Sequence, residues 1–317
     1  MRARLIVNPQ SGADRAPELL PLVNARLRTI VRDLDITITT TVGDAERAAA
    51  RAVEERVDAV YVAGGDGTLN AAMRGLTRAV DPGSTSSPVV GVIPFGTGND
   101  FAKALGLGEE PEAALELLLD GLVVDVDVGM LNERPFVNTS AGGFVAHVSE
   151  AVTEQLKDVA GKLAYLIGGA RALLGTEPFS MRLVVHEGES VDAPQSAIDV
   201  QMFAVCNSRF IGGGFLIAPH ALVDDGLLEV VVVPRMPMLE FVGVLQRLGA
   251  GLSAHHPAVL QFRASAFDLE FDHRTHVNAD GELLEADRCE YRVRRAGARF
   301  FCGPNPHTAA QPQRFSL

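Results

Sequence analysis

The chain has 317 residues, 47% of them hydrophobic, which is enough for a packed core and suits two domains better than one. Its 28 basic and 40 acidic residues leave a net charge of −12, which argues against a general binder of nucleic acid or of anionic membrane. The scattered Cys206, Cys289 and Cys302 lack metal-ligand spacing, and no apolar run makes a signal peptide or the ~18 residues of a membrane span, so a soluble cytoplasmic protein is expected, meeting any membrane peripherally at its inner surface.

From the N-terminus, residues 3–7 read as a strand that ends in a turn over 8–12. Residues 17–31 read as a helix, with Leu19, Leu20, Val23, Leu27 and Ile30 at helical spacing. Residues 34–41 alternate as a strand, 45–56 form an alanine-rich helix, and 58–63 a strand running into Gly64-Gly65. A helix over 68–79, a loop of turn formers over 81–88 and a strand over 89–93 follow, then a turn over 94–99 and another helix. Buried strands joined by helices predict a parallel sheet with both faces covered, whose ligands sit beyond the carboxyl ends of the strands. After Gly129 the pattern changes. Helices are expected over 146–157 and 162–174, then strands over 180–186, 197–206, 227–233, 259–262, 267–271 and 291–295, which suit an antiparallel sandwich. The expected architecture is an α/β domain over 1–129 and a β-sandwich domain over 130–299, with an extended tail from about 300 to 317 able to pack back on the first.

The chemistry sits at the strand ends. Gly64-Gly65-Asp66-Gly67-Thr68-Leu69-Asn70 follows a strand and opens a helix. Glycines let the backbone approach a ligand, free amides at a helix start favour phosphate, and Asp66 offers a carboxylate where Mg²⁺ would need one. Pro94-Phe95-Gly96-Thr97-Gly98-Asn99-Asp100 repeats that logic after a second strand. Asn8-Pro9-Gln10-Ser11-Gly12 is a third such turn, with Ser11 and backbone amides as donors to phosphate or ribose. The five arginines between 288 and 299 read as a solvated strand face, and His147, His220, His255 and His256 as isolated side chains without a metal partner.

These three turns in this order resemble the diacylglycerol kinase catalytic domain family, which includes bacterial lipid kinases and the sphingosine and ceramide kinases. Lys162-Leu163-Ala164-Tyr165, Asp224-Asp225-Gly226-Leu227 and Asp280-Gly281-Glu282 match in order as well, so the resemblance covers nearly the whole chain. It implies a first domain like that of phosphofructokinases and NAD kinases, and transfer of the γ-phosphate of ATP to a lipid hydroxyl, foremost diacylglycerol to phosphatidic acid. Nucleotide contacts are implied at Asn8, Pro9, Gln10, Ser11, Gly12, Gly64, Gly65, Asp66, Gly67, Thr68, Leu69, Asn70 and Thr97, with Thr39 fitting best for a threonine of the second strand. An aspartate–Mg²⁺–water network is implied at Asp66, Asp100, Asp127 and Asp280. A second, structural Mg²⁺ is implied at Asp225 with the carbonyls of Leu222 and Leu227. The acceptor side is implied at Glu282 as general base and Asp280 as its electrostatic partner, roles that the sequence leaves exchangeable. Lys162 and Arg15 match basic residues facing substrate or phosphate, although Arg15 stands where some members carry lysine.

Two other readings share part of this pattern. NAD kinases and phosphofructokinase-like sugar kinases resemble the chain at Gly64-Gly65-Asp66-Gly67, and a silent nucleotide- or lipid-binding regulator could use the same fold. The turn at 94–100 and the Asp280–Glu282 pair favour the lipid kinases, and the retained acids argue against silence. The edges of a sandwich can pair two copies into a homodimer, a state the sequence leaves open.

Overall fold

The structure, a computed structural model, describes residues 1–12, 16–80, 87–143, 179–189, 196–250, 257 and 259–315. The helices expected over 146–157 and 162–174, with Lys162, lie outside the described residues, as does Arg15.

The N-terminal half alternates β1 (Arg2–Val7), α1 (Ala16–Leu27), β2 (Asp33–Ile38), α2 (Asp44–Glu54), β3 (Ala59–Gly64), α3 (Asp66–Ala79) and β4 (Val89–Pro94). All four strands are parallel, in the order β2-β1-β3-β4. Every residue of β3 and β4 is buried, as a sheet covered by helices on both faces requires. The chain winds outward in one direction from β1 to β2 and in the other from β3 to β4. A crevice therefore opens at the carboxyl ends of β1 and β3, the usual ligand position in such sheets. Two short helices, α4 (Asp100–Ala104) and α5 (Pro111–Leu119), lead to β5 (Leu122–Leu131).

The second half is antiparallel: β6 (Arg134–Phe136), β7 (Thr139–Gly143), β8 (Phe179–Gly188), β9 (Ile198–Cys206), the short β10 (Phe210–Ile211) and β11 (Phe215–Leu216), β12 (Leu228–Pro234), β13 (Leu260–Ala279) and β14 (Glu282–Phe301), with α6 (Met238–Gly249) between β12 and β13. The short strands expected over 259–262, 267–271 and 291–295 are stretches of β13 and β14, each of 20 residues. Asp280-Gly281 turns one into the other, with φ of 47° and 92°. Two left-handed residues between paired strands are the hairpin geometry that Asp-Gly favours. At its far end β14 lies parallel to β4 through Phe300 and Val90, and β5 runs antiparallel along it. One strand thus carries the hairpin tip and joins both halves.

Burial follows these layers. One core fills the parallel sheet and its helices, and a second fills the space between antiparallel strands. β9 is buried on both faces: Phe203 and Val205 face that second core, while Met202, Ala204 and Cys206 pack with Phe241, Val244 and Leu248 of α6. All three cysteines are buried and free. After β14 the tail returns to the first half. Gly303 and His307 donate backbone hydrogen bonds to Leu105 and Ala104, and β15 (Gln313–Arg314) pairs with β5. No helix among the described residues is long and apolar enough to cross a membrane.

Glu229 on β12 is 7% exposed, and its Oε2 has no hydrogen-bond partner. Burial pushes its carboxyl above the usual range, against the pull of His220, Arg263 and Arg209. The folded state therefore holds this proton more tightly than the unfolded chain. The stability it contributes is full below the ordinary glutamate value and is lost as pH rises through the folded one. Glu229→Gln is expected to raise the melting temperature more at about pH 8 than at about pH 5. Melting curves at both values check this; an equal shift at both, or a larger rise at about pH 5, would contradict it.

Candidate active site

The three glycine-rich turns meet. After β1, Ser11 N–H closes a turn on Asn8 O at 3.2 Å, and Gln10 N–H donates to Asn8 Oδ1 at 3.1 Å. Asn8 Nδ2 donates to Thr68 Oγ1 at 3.0 Å, tying this turn to α3. Gly12 has φ of 69°, and a Cβ there would lie 2.4 Å from Phe95 O of the turn over 94–99. A Cβ on Gly96 would lie 2.7 Å from Gly65 Cα, so the turns over 64–70 and 94–99 touch through their backbones. Gly67, in the first turn of α3, faces open space instead. The result is a cluster of close-packed backbone with helix amides beside it, suited to an anion. Thr97 and Gln10 are exposed at its rim. Thr39 N–H donates to Val7 O, whereas Thr40 and Thr41 give their amides to Asp44, which leaves Thr39 as the threonine beside the end of β1.

Asp66 is the first residue of α3, not a loop residue. Its Oδ2 accepts from Asp100 N–H at 3.0 Å and its Oδ1 from Phe101 N–H at 3.2 Å, which caps α4. Asp100 is 4% exposed, and burial, then the charge of Asp66, raises its carboxyl above the usual range. Gly213 N–H donates to Asp100 Oδ2 at 2.9 Å; Asp100 Oδ1 is buried without a hydrogen-bond partner, 3.7 Å from Lys103 Nζ.

The antiparallel half closes on the same point. Asn138 Nδ2 reaches Asp66 Oδ1 at 3.3 Å, and Asn138 Oδ1 accepts from Ser208 Oγ at 2.7 Å. The Asp280 carboxylate accepts backbone N–H groups of Val137 at 2.6 Å, Asn138 at 3.0 Å and Thr139 at 2.9 Å. Burial pushes this carboxyl up to about 7, with Asp66 adding to the rise while the amides oppose it. Asn70 Nδ2 donates to Asp280 O at 3.4 Å. Glu282, two residues on, has a 40% exposed side chain and forms ion pairs with Arg74 and, at 3.9 Å, with Arg134.

Asp127 and Asp225 have other partners. Asp127 accepts from Gly226 N–H at 2.6 Å and Ala296 N–H at 2.8 Å, and burial raises its carboxyl. It lines a cavity of about 200 Å³ with Asp125, Asp224, Arg295 and Arg299; none of the three glycine-rich turns lines that cavity. Asp225 Oδ1 accepts from Leu227 N–H, and its Oδ2 is paired with Arg263.

The two implied Mg²⁺ positions therefore differ. Asp66 and Asp100 fit a cation: two neighbouring carboxylates repel, and one buried oxygen lacks a hydrogen-bond partner, with Lys103 Nζ 3.7 Å away. Asp225 fits poorly, because the Arg263 guanidinium already neutralises it. No group of three or more His, Cys, Asp or Glu residues arranged to hold a metal occurs among the described residues.

Sequence reasoning missed Asn138, Asn207, Ser208 and the run Gly212-Gly213-Gly214. Asn207 Nδ2 binds the carbonyls of Asp127 and Val137, and the three glycines have φ of 65°, 90° and 100°. Polar residues directly after buried apolar strands, and three consecutive glycines, were the available signals.

Known proteins resemble this chain in sequence and fold. The family model described as the diacylglycerol kinase catalytic domain matches residues 2–131, and the YegS C-terminal NAD kinase beta sandwich-like domain matches residues 138–295. Proteins named diacylglycerol kinase from Staphylococcus epidermidis and Staphylococcus aureus are 30% identical to this chain over 285 residues, covering 89% of it and 85% and 86% of themselves. A crystal structure described as a "putative diacylglycerol kinase" from Bacillus anthracis str. Sterne has a TM-score of 0.80 at 26% identity, covering 96% of this chain and 95% of that one. On the converging turns, the sandwich that closes on them and these matches along most of its length, the chain belongs to the diacylglycerol kinase catalytic domain family.

Proposed function

We propose that the chain is an ATP-dependent lipid kinase that transfers the γ-phosphate of ATP to the hydroxyl of diacylglycerol, giving phosphatidic acid. The observation that carries this reading is the meeting of Asp66 and Asn70 of α3 with Asn138 and Asp280 of the antiparallel half. It brings a phosphate-suited turn and an acceptor-side carboxylate into one cleft. The names of the staphylococcal relatives supply the substrate class.

Phosphoryl transfer needs positioning and charge neutralisation more than covalent help. The turns at 8–12, 64–70 and 94–99 would cradle the nucleotide phosphates through amides, with Thr39 and Thr97 at the rim. Asp66 and Asp100 would hold Mg²⁺, which when bound supplies charge neutralisation to the phosphates. Asp280, fixed by three amides, sets the field beside the acceptor. Glu282 takes the proton of the lipid hydroxyl as its oxygen attacks phosphorus. In this reading residues 1–129 bind nucleotide and 130–299 bind lipid, and the protein works at the inner membrane surface without crossing it.

The acceptor is tested by comparing kcat/KM in mixed micelles for diacylglycerol, a sphingoid base, phosphatidylglycerol and a prenyl alcohol. Diacylglycerol is expected to lead. A preference for any other lipid would reassign the acceptor within the same chemistry.

A further inference from the structure

Asp66, Asn70 and Arg74 lie four residues apart on α3, so they share one face of the helix. Each grips the antiparallel half. Asp66 accepts from Asn138, Asn70 donates to Asp280 O, and Arg74 Nη1 is paired with Glu282 Oε1. Two of these three contacts fall on the hairpin tip between β13 and β14.

Arg74 is itself held. Its side chain is only 11% exposed, and its Nε donates to Glu46 Oε2 of α2 at 3.0 Å. Glu46 can come this close because position 75 is glycine: a Cβ there would lie 2.1 Å from Glu46 O. The other cation at Glu282, Arg134, is 52% exposed and 3.9 Å away. A guanidinium fixed at both ends loses little freedom in orienting a carboxylate, whereas an exposed one restrains it weakly.

We propose that Arg74 is a positioning residue for Glu282, setting the acceptor-side carboxylate relative to the phosphate turn that opens the same helix. Arg74 holds Oε1; Oε2, 3.9 Å from the exposed Arg134, receives the hydroxyl proton. The lipid oxygen then bonds to phosphorus, and the bridging oxygen leaves with ADP. The inference rests on the reading of Glu282 as general base.

The test measures kcat and KM of the full chain with Arg74→Met, Arg74→Lys, Glu282→Gln and the double variant Arg74→Met/Glu282→Gln, with melting temperature and ATP binding as controls. Arg74→Met is expected to lower kcat about 10- to 100-fold, the scale of a small misplacement of a reacting group, with KM for ATP unchanged. Arg74→Lys should recover part of the loss. In the Glu282→Gln background Arg74→Met should cost less than about twofold, because the group it positions is gone. A purely structural role would give the same loss in both backgrounds, and that result would overturn the proposal. So would near-normal kcat in Arg74→Met beside a crippled Glu282→Gln, while the base reading would survive. Near-normal turnover in Glu282→Gln removes the base reading and the proposal together. If Arg74→Met does not fold, Arg74→Lys carries the same comparison in both backgrounds.

Discussion

Glu282→Gln is expected to lower turnover about 10²–10⁴-fold while ATP still binds, the usual span for removal of a general base. The substitution keeps the shape of the side chain and takes away the proton acceptor. Glu282 begins β14 right after the Asp280-Gly281 turn, and its side chain is 40% exposed, so an acceptor hydroxyl can reach it. Asp280 is a poorer candidate, because three backbone amides occupy its carboxylate. Single-turnover phosphorylation beside a nucleotide-binding titration separates the steps. Near-normal turnover would sink the assignment of Glu282.

Asp66→Asn should weaken use of Mg-ATP by about 10²–10³ in kcat/KM, the scale seen when one group that steadies transition-state charge is removed. Three features meet on this carboxylate. It caps α4 through the amides of Asp100 and Phe101, it binds Asn138 across the cleft, and its charge acts on Asp100. Asparagine keeps one acceptor oxygen for the amides of α4, and aspartate and asparagine cap helices about equally well, so the fold persists. The lost charge removes half of the carboxylate pair that fits a cation. The Mg²⁺ concentration for half-maximal rate is therefore expected to rise. An unchanged Mg²⁺ dependence would show that the cation is held elsewhere.

The parallel half was legible because its signals are local. A buried strand running into Gly-Gly-Asp-Gly fixes both the turn and the start of the next helix, and the touching of Gly65 with Gly96 explains why both must be small. Less legible was where a carboxylate finds its partners. Asp66 reads as a loop acid facing phosphate, yet it sits in α3 and caps a helix 34 residues away, a choice made by tertiary packing. The long hairpin was hidden for two reasons. Its outward positions carry charges such as Arg288, Glu290 and Arg292, so only the stretch over 291–295 reads as a strand, and the pairing of β13 with β14 shifts register between Glu270 and Thr275, where alternation fails. Asp280-Gly281 is itself a strong hairpin signal, and reading it only as a site motif concealed the two strands it joins. Asn138, Asn207 and Ser208 are single polar residues whose meaning appears once Asp66, Asp127 and Val137 surround them. The Arg263 partner of Asp225 was equally out of reach, 38 residues away on β13.

The most direct measurement of the central claim is transfer of γ-labelled phosphate from ATP to diacylglycerol in mixed micelles, with NAD and a hexose as competing acceptors. Label is expected in the lipid extract as phosphatidic acid, dependent on Asp66 and Glu282. Label on NAD or the sugar, or ATP hydrolysis with an unlabelled lipid phase, would contradict it.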